Sequence, residues 1–171
     1  MLTEFYVPLS AVCFTLLGLW LVVVATRQAE WRRSSLHQRR AFAVAAHFSL
    51  PGLMALLVLV NPDSGGLWRV SLGVSAGGGI VALIALRAPA PGKLGRADYA
   101  ATIAAFAVIV ILAIHPHIVG QLSFPIAPER IAAVLLIGVV FAGVNVAWLL
   151  VFDNAEPEPQ PDGVPHDARA G

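Results

Sequence analysis

Charge is what this sequence has least of. Only 12% of its 171 residues are Asp, Glu, Lys or Arg, about half the share of an ordinary soluble domain. A hydrophobic content of 58% excludes a chain disordered throughout and argues against a soluble globule. The single cysteine, Cys13, excludes an internal disulfide and a cysteine metal cluster. No HExxH, Walker or Rossmann glycine loop is present, nor a DxxDG-type metal motif or an arginine-studded span. No apolar run holds a pair of carboxylates for a proton relay, which weakens the case for an ion-coupled transporter. The near-balanced net charge of +1 offers no field to hold nucleic acid.

What is present is a series of long apolar runs. Five of them, at about 6–26, 41–60, 68–86, 99–119 and 131–152, meet the roughly 17–25 residues that a helix needs to cross a hydrocarbon core. Their interiors contain no Asp, Glu, Lys or Arg; Arg69 stands at the edge of the third. The runs are continuous rather than alternating, which favours helices over barrel strands. The expectation is an all-α integral membrane protein, a bundle of five transmembrane helices. The first run follows Glu4 and no basic residue, and positives come after it, so it reads as a retained span and not a cleaved signal.

Basic residues sort by side. Arg27, Arg32, Arg33, Arg39 and Arg40 follow the first run, Arg87, Lys93 and Arg96 follow the third, and Arg169 lies in the tail. Against these nine, the other side has only Arg69 and Arg130. The positive-inside rule then sets the N-terminus outside and the C-terminus in the cytoplasm. Trp68 falls at the expected outer interface, and Trp31, Trp148 and Phe152 near the inner one. The arginines of the first loop fix topology and also form a candidate contact for anionic lipid head groups. RAPAPGKLGRAD reads as an irregular connection. Pro128 and Glu129 suit the first turn of the last helix. Residues 153–171, with four prolines and five acids, read as a disordered cytoplasmic tail.

The third run carries small residues at four-residue spacing: Gly73 with Gly77, and Ser75 with Gly79. Such faces let helix backbones approach closely in lipid. Gly138 with Ala142, and Gly143 with Ala147, offer the same in the last run. Gly73–Gly77 also spells the GxSxG of serine hydrolases, but that motif acts on a strained strand-to-helix turn, and an apolar span is the wrong setting.

His47 is the one basic side chain well inside an apolar run, which makes it a functional candidate by default. Ser49 and Pro51 follow it, and proline removes a helix hydrogen bond, so a kink or hinge is expected there. Asn145 in the last run lies at a similar depth, about 5 Å inward of the midpoint. Shared depth leads to the expectation that His47 and Asn145 pair, each lowering the other's burial cost. His115 and His117, with Glu129, are a weak candidate set for a transition metal, since Pro116 limits how the rings converge. No cofactor is expected.

Two function classes remain. The leading one is a structural or accessory subunit, or a scaffold, in a bacterial envelope, paired with another membrane protein or with copies of itself. A ten-to-one ratio of Arg to Lys with abundant Ala, Gly and Val suggests the bacterial origin, hence the inner membrane. The alternative is a channel or facilitator using His47, Ser49, Ser75, Thr15 and Asn145 along an uncharged path with Pro51 as hinge. An intramembrane hydrolase would need Ser75 within hydrogen-bond reach of His47. Nothing else suggests an enzyme.

Overall fold

The computed structural model describes residues 2–32, 34–60, 65–86, 92–117 and 127–152. Within them all regular structure is helical. Helix α1 spans Leu2–Thr26, the single turn α2 Gln28–Trp31, α3 Ser35–Val60, α4 Gly65–Leu86, α5 Gly92–Ile114 and α6 Pro128–Phe152. The five long helices each contain a stretch of 18 to 26 residues apolar enough to cross a bilayer. The tail at 153–171 lies outside the described residues.

Helix ends follow local chemistry more than hydropathy. α3 begins at Ser35, well before its apolar run, because the Ser34 hydroxyl accepts the amide of His37 at 3.4 Å as an N-cap. The first loop is therefore mostly helical, as α2 and the first turns of α3. Between α4 and α5, Gly92 adopts φ +81°, a left-handed conformation that glycine tolerates, and the chain is helical from there on. The irregular reading of that connection is corrected for 92–98. α5 stops at Ile114 instead of reaching 119, because Pro116 disfavours helical geometry at His115. Pro128 opens α6 as expected, with Ala127 O accepting the amide of Arg130 at 3.0 Å.

Helix α3 is the hub. It packs on α1, α4 and α6, while α5 packs on both α4 and α6. Helices α3, α4, α5 and α6 thus close a four-membered ring, and α1 lies outside it against α3. In the apolar window of α3, 56% of residues are buried, against 22–33% in the other long helices. Helices α4 and α5 run antiparallel. Arg69 at the start of α4 bonds the end of α5, and Tyr99 near the start of α5 bonds Leu83 near the end of α4. The end of the bundle holding Arg27, Arg32, Arg39 and Arg40 is called the arginine-rich end below.

Glycines set the closest approaches. A Cβ on Gly143 would fall 2.6 Å from His47 Cβ, so α6 rests on α3 there. Gly79 of α4 faces Leu50 and Phe106 at 3.0–3.1 Å, and Gly73 faces Ala113 at 3.2 Å. Gly52 seats α3 on Cys13 and Phe14 of α1. Among the described residues, nothing lies within 4 Å of where a Cβ on Gly77 or Gly138 would stand. Four-residue spacing records a capacity for close approach; the neighbour's position decides whether it is used.

Candidate functional site

The most buried polar constellation sits inside the ring, on His47. Its Nδ1 lies 2.7 Å from the carbonyl oxygen of Ala43, one turn back in α3. A carbonyl only accepts, so Nδ1 carries the proton and Nε2 is left as an acceptor. Thr102 of α5 supplies the donor, its hydroxyl 3.2 Å from Nε2. Both residues are almost fully buried, at 3% and 2% exposure. Gly143 closes the site from α6, and Phe48 flanks it. One side chain thereby links α3, α5 and α6.

Pro51, one turn further along, has no amide to give the carbonyl of His47. Helix α3 nevertheless continues across it from Ser35 to Val60, and Pro51 is buried. Ser49 and Ser75 are each half-buried, as is Ala142. The ring nitrogens of His47 meet Ala43 and Thr102, so His47 is not engaged with Ser75.

The expected His47–Asn145 pair does not form. Asn145 is exposed and donates from Nδ2 to Phe141 O of its own helix at 2.9 Å. The reason is rotational. Gly143 is the α6 residue that faces His47, and two further residues turn the helix by about 200°. Equal depth placed the two side chains at one level, and the helical turn put them on opposite sides.

His115 and His117 are exposed at the end of α5. Among the described residues no group of three or more His, Cys, Asp or Glu could hold a metal. The side chain of Glu129 lies outside the described residues, as does Arg33. Of the remaining first-loop arginines, Arg32 and Arg39 are exposed and Arg27 and Arg40 half-buried.

Several residues that sequence reasoning passed over tie helices together. Arg69 donates from Nε to Ala113 O at 2.7 Å and from a terminal nitrogen to Ile114 O at 3.0 Å. It thus covers two of the carbonyls that a helix end leaves without partners, and its charge suits that end of the dipole. Tyr99 donates to Leu83 O at 2.6 Å, and the indole of Trp20 to Ala41 O at 2.9 Å. Thr102 did have a signal. It is the one polar residue in the run 100–114, and it lies about 15 Å from the start of α5, close to the roughly 18 Å of His47 from the start of α3.

The described cavities flank α1 and do not follow the ring axis. Two apolar grooves of about 370 and 390 Å³ lie between α1 and α6, one floored by Phe48 and the other reaching Phe5 and Phe141. A third, of about 410 Å³, lies between α1, α2 and α3 at the arginine-rich end. His47 and Thr102 line none of the three. No family model, curated protein or solved structure matches the chain.

Proposed function

We propose that this chain is a multi-pass protein of a bacterial inner membrane, N-terminus outside and C-terminus cytoplasmic, with a structural or accessory role. It would serve as a scaffold, as a subunit beside another membrane protein, or as a homo-oligomer. The observation that carries this reading is the way buried polar groups are used. Tyr99 with Leu83 and Trp20 with Ala41 are isolated pairings across close helix contacts, and His47 with Thr102 is an isolated pairing across the ring. A solute pathway calls instead for polar groups converging on a continuous wet space. Bulky apolar side chains such as Phe106, Leu136 and Val139 are buried in the core.

Native mass spectrometry of the protein extracted gently from its own membrane tests the reading. A second subunit, or further copies of this chain, at fixed stoichiometry is the expected result. A lone monomer that raises the flux of small uncharged solutes in liposomes, with the flux lost in His47→Ala, overturns it in favour of a facilitator.

A further inference from the structure

The cavity between α1, α2 and α3 differs from the two α1–α6 grooves in one respect: its lining changes character along its length. One wall runs from Leu21 and Val24 of α1 to Gln28 at the start of α2; the other, on α3, runs from Ala45 and Phe42 to Gln38. Each wall passes from apolar to polar within seven residues, on α3 a rise of about 10 Å. Arg32, exposed, stands at the polar end. Its backbone is held there, because Gln38 Nε2 donates to Arg32 O at 3.3 Å and Arg32 N donates to Gln28 O at 3.0 Å. The floor is rigid too. Trp20 is pinned through its indole to Ala41 O and lies 5.8 Å from the ring of Trp31, which stacks on His37.

We propose that this cavity is a binding site for one anionic phospholipid. The head-group phosphate lies on Arg32, with Gln28 and Gln38 as hydrogen-bonding neighbours, and the first part of an acyl chain lies along Val24 and Phe42. Guanidinium and phosphate match in charge and in donor geometry. The volume of about 410 Å³ is within the roughly 300–1,000 Å³ usual for a small-ligand site. Phe42 is 61% exposed and Leu21 55%, so the apolar half opens sideways, where a lipid tail would enter. The proposal rests on the membrane reading above, and it narrows the general basic character of this end to one residue. Arg39 is exposed like Arg32 yet lines no part of the cavity.

The test uses tail-brominated lipids, which quench nearby tryptophan, in nanodiscs holding the full chain with Trp68 and Trp148 changed to Phe. Brominated phosphatidylglycerol is titrated into phosphatidylcholine, and the reverse labelling serves as reference. The expected result is a preference for phosphatidylglycerol at Trp20 and Trp31. That preference should fall about fivefold in Arg32→Ala, the contribution of one basic side chain near the head groups. In Arg39→Ala it should persist. Equal losses in the two variants, or no preference in the parent, overturn the site. If neither brominated lipid quenches and the chain does not incorporate into nanodiscs, the membrane reading itself has failed. Arg32→Lys separates charge from fork geometry: the preference should be partly retained, and full retention would overturn the bidentate contact alone. Inorganic phosphate at millimolar concentration should leave the quenching unchanged, and competition by it would overturn the lipid assignment.

Discussion

Replacing Gly143 with Ala tests the closest glycine approach among the described residues. An ideal Cβ at that position stands 2.6 Å from His47 Cβ and 2.9 Å from Phe48 Cε1, whereas carbon atoms settle at about 3.5–4.0 Å. The overlap with His47 Cβ is thus about 1 Å, and that atom is fixed to the α3 backbone and cannot rotate away. Helix α6 must retreat from α3, an overpacking that costs about 1–3 kcal/mol. A separate gain accompanies any such change, because Ala is preferred to Gly inside a helix by about 1 kcal/mol. Gly138→Ala isolates that gain: it lies in the same helix, one turn and a half away, with nothing within 4 Å of the new methyl. The propensity gain cancels between the two variants, so Gly143→Ala should be the less stable by about 1–3 kcal/mol. Unfolding in mixed micelles by titration with SDS, followed by far-ultraviolet dichroism, measures the difference. Equal midpoints, or a less stable Gly138→Ala, would refute the packing argument.

Three further expectations follow from the same contacts. Thr102→Val keeps the shape but leaves His47 Nε2 without its donor, and should destabilise by about 0.5–2 kcal/mol; a double-mutant cycle with His47→Ala that shows no coupling would sink this pairing. Arg69→Gln should fray the end of α5, read as faster amide exchange at His115, whose N–H bonds Ile111 O at 2.8 Å; unchanged exchange would mean the arginine does not hold that end. Asn145→Leu should shift stability by less than about 0.5 kcal/mol, because an exposed, self-bonded side chain holds no neighbour; a loss beyond 2 kcal/mol would restore the buried pairing that its depth suggested.

Much of the fold was legible without coordinates. Residues at 6–26, 41–60, 68–86, 99–119 and 131–152 are apolar in unbroken runs, and a helix satisfies its own backbone wherever it lies, so the existence of five long helices depends on local composition alone. Pro128 at a helix start is equally local. The errors at 35, 92 and 114 are also local in cause, since Ser34, Gly92 and Pro116 act through capping and backbone geometry that a hydropathy run does not register. His47 stood out in the sequence because one ionisable group in an apolar run is visible without any partner.

The partner of that histidine was decided only by the tertiary structure. Depth along a helix can be counted from its end, and it set His47 and Asn145 near one level; the same count, not made for Thr102, puts it close to that level too. Azimuth cannot be counted, because it depends on which face each helix turns to the others, and that is fixed by bulky contacts such as Phe106 against Gly79 and Phe48 against Gly143. A rotation of about 100° per residue separates a buried threonine from an exposed asparagine more sharply than any difference in composition. The same holds for the glycines: Gly77 and Gly79 lie two residues apart, yet among the described residues it is Gly79, not Gly77, that has a neighbouring helix within 4 Å of a Cβ. Composition determines how many helices form; the ring of α3, α4, α5 and α6 determines which side chains meet.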